Sequence, residues 1–134
     1  MKAEREFVNE PTSVGQARRF VMDALSDVRG DALEDAAVMV SELASNCLRH
    51  AATSFTVGVD RTREQVTVSV DDAGPGRPAM QSPPADQPTG RGLRIIDALA
   101  DSWGVDYHAD HIGKRVWFTL SERLTDQRSS TARA

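Results

Sequence analysis

Ser41-Glu42-Leu43-Ala44-Ser45-Asn46-Cys47-Leu48-Arg49-His50-Ala51 combines an apolar helical seam with two polar residues set just off it. Leu43-Ala44 and Cys47-Leu48 continue a seam begun by Leu33, Ala36-Ala37 and Val40, and this three-to-four spacing predicts one long helix from Asp31 to about Ala52. Asp31-Ala32-Leu33-Glu34 gives it a capping-box-like start, with carboxylates that suit the positive helix end. The seam is expected to face a sheet. Glu42 and Asn46, four apart, then lie on nearly one face of the helix, close to the strands that follow.

Downstream, Ser54 to Asp60 and Gln65 to Asp71 both alternate apolar and polar residues, and the turn between them predicts an antiparallel hairpin. The second strand runs into Asp72-Ala73-Gly74-Pro75-Gly76. Residues 74 to 90 hold five of the six prolines and little apolar periodicity, a loop long enough to act as a lid, about 77–90. A third helix is expected from about Gly92 to Ala100, opened by Gly90-Arg91-Gly92-Leu93. A last hairpin joins Trp103–Tyr107 to Lys114–Leu120. Upstream, Glu4 to Val8 reads as a strand ended by Pro11, and a helix follows to about Ser26 with Thr12 or Ser13 as N-cap. Residues 1–122 are expected to form a single domain and 123–134 a polar, disordered tail.

Bulk properties narrow the classes. At 134 residues the chain is about one domain, able to bury roughly two-thirds of its unfolded surface without disulfides. No apolar run approaches the roughly 18 residues needed to cross a bilayer, and no apolar segment follows the charged start, so neither membrane insertion nor secretion is expected. The expected compartment is cytoplasmic. The single cysteine agrees with a reducing environment, and a net charge of −4 without a basic stripe argues against direct nucleic-acid binding.

Three polar features stand out, and each has a plain reading as well. Glu42 and Asn46 alone describe a solvated helix face. Asp72, Gly74 and Gly76 alone describe a tight turn at a strand end, yet this is also where a carboxylate is held rigidly while glycines let a ligand approach bare backbone. Gly90 and Gly92 alone describe a hinge, yet free N–H groups at a helix start also bind phosphate. In this order, with a proline-rich lid between the second and third, they outline a nucleotide site. Arg77, Thr89 and Arg91 flank the lid within reach of phosphates. Cys47 reads as a small buried hydrophobe, His50 as a cation at the helix end, and Trp103 and Trp117 as packing residues. His108, Asp110 and His111 lack the further ligands that a metal centre needs.

From about Phe7 to Leu120 the chain resembles the Bergerat-fold (GHKL) ATPases and kinases, most closely the small bacterial anti-sigma factor serine kinases. The fold implied is an α/β (α+β) two-layer sandwich, a mixed, largely antiparallel sheet covered on one face by about three helices. Residues 41–51 resemble the family's N box, which implies magnesium binding by Asn46 and a general-base role for Glu42. Asp72, Gly74 and Gly76 match the G1 box, which implies that Asp72 accepts the adenine amine. Thr89, Gly90, Arg91, Gly92 and Leu93 match the G2 box beside the phosphates. Gly113-Lys114-Arg115-Val116-Trp117 is similar to the family's last strand, and where many members carry a threonine near the adenine carboxylate this chain has Arg115, directed either there or to the solvent side of the strand, a choice the sequence leaves open. The resemblance implies an ATP- and Mg2+-dependent protein serine kinase that is also an anti-sigma factor. Its implied partners are a sigma factor and an anti-anti-sigma (STAS-type) protein, and its implied state is a homodimer. The competing class is a regulatory binding module, either non-catalytic with ATP or nucleotide-free.

Overall fold

Alternating valines set the sheet, and the helices close over the face on which those valines lie. The structure, a computed structural model, describes residues 1–28, 30–51, 53–74, 86–108 and 113–121, without the side chains of residues 86–92. The elements are β1 (Lys2–Phe7), α1 (Thr12–Ala24), α2 (Asp31–His50), β2 (Phe55–Arg61), β3 (Gln65–Asp72), α3 (Asp86–Leu99), β4 (Ser102–Tyr107) and β5 (Lys114–Ser121). The sheet order is β1-β2-β3-β5-β4, and each neighbouring pair is antiparallel. With α1 against β1 and β2, α2 against β3 and β5, and α3 against β4, this is the expected two-layer sandwich with helices on one face.

Val57 and Val59 of β2, Val66, Val68 and Val70 of β3, and Val116, Phe118 and Leu120 of β5 are buried beneath Val21 of α1, Met39, Val40 and Leu43 of α2, and Ile96 of α3. Each such side chain contributes about 1.5–3 kcal/mol by leaving water, the main stabilisation of a domain this size. The α2 seam follows the expected spacing, and Met39, outside the expected set, is fully buried too.

Element ends depart from expectation for local reasons. Neither Thr12 nor Ser13 caps α1. Its entry is closed instead by backbone bonds from Ser13 N–H to Glu10 O (2.9 Å) and Val14 N–H to Pro11 O (3.2 Å). Ser13 is buried, and its Oγ finds no partner among the described residues. At α2 the cap position is Gly30 at φ 74°, a left-handed conformation that suits glycine and offers no capping side chain. Asp31 and Glu34 therefore act only through the dipole of the first turn. The third helix begins at Asp86, not near Gly92, so residues 86–90 belong to α3 and not to the lid. Pro88 is no obstacle there, because the first-turn N–H groups of a helix have no intrahelical acceptor. The remaining lid residues up to 85 and the tail expected at 123–134 lie outside the described residues.

Candidate functional site

β3 and β5 each send a row of side chains toward the helices. On β3 the row is Val66, Val68, Val70 and Asp72; the first three are buried valines, and the fourth is a carboxylate that is buried as well. On β5 the row is Leu120, Phe118, Val116 and Lys114. The register sets these members directly opposite one another, ending in Asp72 across from Lys114. Two apolar rows thus terminate together in a charged pair.

The carboxylate is closely held. Lys114 Nζ donates to Asp72 Oδ2 at 3.0 Å, and the Gly74 N–H donates to Oδ1 at 3.0 Å. The Cys47 thiol approaches Oδ2 at 3.9 Å from α2. The Asp72 side chain is 4% exposed and that of Lys114 28%, so the pair sits at the mouth of a buried position with the ammonium nearer solvent. Burial of such a charge is tolerable because donors on two sides and a counter-ion replace the lost water. Burial, with the Asp72 charge second, pushes the Cys47 thiol up to about 12, so it stays a neutral packing group as expected.

Gly74 has a packing task of its own. A Cβ there would stand 2.9 Å from Cα and Cβ of Ala51 and 3.0 Å from its carbonyl oxygen. The glycine lets the chain leaving β3 pass directly against the end of α2, which brings Asp72 and the N-box segment together.

On α2, Asn46 immediately precedes Cys47, and Glu42 lies one turn earlier; both are half-buried. Asn46 Oδ1 accepts a bond from Arg49 Nη2 at 2.6 Å. Among the described residues no group of three or more His, Cys, Asp or Glu side chains is placed to hold a metal. Magnesium carried by a nucleotide commonly takes one or two protein oxygens and completes its shell with phosphates and water. Asn46 Oδ1 would be such an oxygen with Arg49 turned away. Burial, then the charges of Arg49 and Lys114, lower the pKa of His50, which works against the helix-end cation expected.

Arg115 takes the solvent-side direction of the two left open for it. It points to the open face of the sheet and donates from Nε and Nη2 to Asp71 Oδ2 at 3.0 and 2.8 Å, with His108 Nε2 3.6 Å from Asp71 Oδ1. The residue beside the buried carboxylate is Lys114, which the motif comparison passed over, as it did Arg49. That face also carries a concavity of about 380 Å³ among Glu4, Gly58, Ser69, Arg115 and Trp117, across the sheet from Asp72 and with no share in its site.

Of the G2-box residues, Thr89, Gly90, Arg91 and Gly92 lie inside α3 and do not open it. The helix N-terminal N–H groups therefore belong to residues 86–89, one turn earlier than expected. Leu93 is half-buried and packs on the core. α3 itself packs against α2. Gly76, Arg77, Asp110 and His111 lie outside the described residues.

The donor set at Asp72 suits a base edge. A carboxylate has about four lone-pair positions, and the three donors around Asp72 leave room for another N–H. Sheet, helices and this carboxylate define a nucleotide-binding sandwich of the Bergerat type. The model of the histidine kinase-like ATPase domain matches residues 7–120, and the chain belongs to that family of ATP-binding domains. Among solved structures, that of the RsbU and RsbW domains of Rv1364c from Mycobacterium tuberculosis is similar, with a TM-score of 0.69 and 15% identity. The match covers 89% of this chain and 32% of that one, and at this identity it speaks for the fold alone. No curated protein gives a significant match.

Proposed function

We propose that the chain binds ATP with Mg2+ and acts as an anti-sigma factor with protein serine kinase activity toward an anti-anti-sigma protein. The observation that supports this reading is the meeting of α2 with the end of β3: the Cys47 thiol lies 3.9 Å from Asp72 Oδ2, with Asn46 next to Cys47 in the chain and Glu42 one helical turn before Asn46. In this reading Asp72 accepts the adenine amine, and the Asn46 amide oxygen binds the magnesium that accompanies the phosphates. Magnesium, when bound, neutralises charge developing on the triphosphate. Glu42 takes the proton of the incoming serine hydroxyl, and α2 holds it one turn from Asn46 so that acceptor and phosphates stay aligned. A sigma factor, a STAS-type antagonist, a homodimer and a cytoplasmic setting complete the proposal.

The test is transfer of labelled γ-phosphate from ATP to candidate antagonist proteins, with ATP binding measured on the same samples. Transfer that Glu42→Ala removes while binding persists supports the kinase; ATP bound without transfer to any antagonist rejects it.

A second reading rests on Arg49 at Asn46 and Lys114 at Asp72, since both side chains assigned to the nucleotide already bond cations of this chain. In that reading the domain is a non-catalytic or nucleotide-free partner-binding module. Partner regulation untouched by both Glu42→Ala and Asp72→Asn favours it.

A further inference from the structure

Lys114 bonds Asp72 from the more exposed side of the pair, and its chemistry is specific. The ammonium carries three N–H donors and accepts nothing. One donor is directed to Asp72 Oδ2 at 3.0 Å. The pair therefore offers an acceptor and a donor side by side, with the Asp72 carboxylate held by the Gly74 N–H and Lys114 set opposite it by the strand register. A group that satisfies both must carry a donor next to an acceptor. An adenine has that edge, in its 6-amino group and ring N1.

We propose that Lys114 is a specificity-determining residue that donates directly to N1 of the adenine whose 6-amino group Asp72 accepts. This deepens the ATP reading and rests on it. Because its aliphatic stem continues the Val116, Phe118 and Leu120 row, Lys114 reaches the base with little side-chain freedom left to lose. The contact is strong for the same reason that the pair is stable. A second ammonium N–H directed to N1 loses its acceptor when N1 is replaced by C–H, so an analogue lacking that acceptor is discriminated against.

The test is calorimetric binding of Mg·ATP and of Mg·1-deaza-ATP, in which N1 is replaced by C–H, to the unmodified chain, Lys114→Met and Lys114→Arg. The unmodified chain is expected to prefer ATP by about tenfold or more, the worth of one hydrogen bond to a charged group. Lys114→Met binds ATP more weakly than the unmodified chain and treats the two nucleotides alike. Lys114→Arg keeps the donors and the charge and retains a preference for ATP, which separates loss of the contact from loss of folding; thermal melts accompany each sample. ATP bound equally well or more tightly by Lys114→Met overturns the proposal and makes Lys114 a plug. The same preference in all three proteins overturns it too, while leaving ATP binding standing. No binding of either nucleotide by any of the proteins removes the ATP reading itself, and the base contact with it.

Discussion

Arg115 and Asp71 face each other across β5 and β3 on the side of the sheet away from the helices, joined at 2.8 Å between Nη2 and Oδ2. Their side chains are 49% and 20% exposed, so the bond is a surface ion pair, worth up to about 1 kcal/mol. Arg115→Thr is expected to lower the melting temperature by no more than about 5 °C. ATP affinity should stay within about twofold, because the change is made on the other face from Asp72. A loss of roughly tenfold in calorimetry would place Arg115 at the base after all.

Gly74→Ala introduces a methyl 2.9 Å from backbone and side chain of Ala51. The expected cost is about 1–3 kcal/mol in urea unfolding, with weaker ATP binding as the Gly74 N–H is drawn off Asp72. Gly15→Ala is the control. Its Cβ would meet only the end of Arg18, at 3.7 Å, inside α1, and alanine there should stabilise by roughly 0.5–1 kcal/mol.

Cys47 has a folded pKa of about 12 against an ordinary value of 9.0. A raised folded value means that the unfolded chain loses its proton first. The stability contributed by this group is therefore complete below pH 9 and is lost as pH rises toward 12. The stability advantage of the unmodified chain over Cys47→Ala should shrink between neutral pH and about pH 10, read as denaturant midpoints. Thiol reagents near neutral pH should label the folded protein only as fast as it opens.

Arg49→Ala releases Asn46 Oδ1 from its 2.6 Å bond. The pair is exposed, so the gain is small: the Mg2+ concentration needed for half-maximal ATP binding should fall by about threefold. A rise in that concentration would mean that Arg49 serves the phosphates rather than competing with the metal.

Much of this site was legible because strand alternation is strict. Val66, Val68 and Val70 carry Asp72 to the inner face by counting alone. The same count along Leu120, Phe118 and Val116 puts Lys114 inside and Arg115 outside, a choice that β5 alone leaves open. The reason is Trp117: a large apolar residue on the outer face makes both faces of β5 read as apolar, so the parity of that strand is ambiguous until β3 is paired with it. The start of α3 was missed differently. Pro88, Gly90 and Gly92 look like breakers, but a proline in the first turn forgoes no helix bond, and packing against α2 carries the glycines. At α1, backbone closure took the place of the hydroxyl cap that Thr12 and Ser13 advertise.

The two tryptophans stand on adjacent strands and opposite faces. The Trp103 indole N–H bonds Asp97 of α3 at 2.9 Å, while Trp117 lies across Gly104 so closely that a Cβ there would come within 2.7 Å of its ring. The molecule thus carries two optical reporters with separate views. With Trp117 replaced by phenylalanine, the remaining emission follows the helix that packs beside the nucleotide site; with Trp103 replaced, it follows whatever settles on the open sheet. Events on the two faces of the sheet become separable by fluorescence without adding a dye.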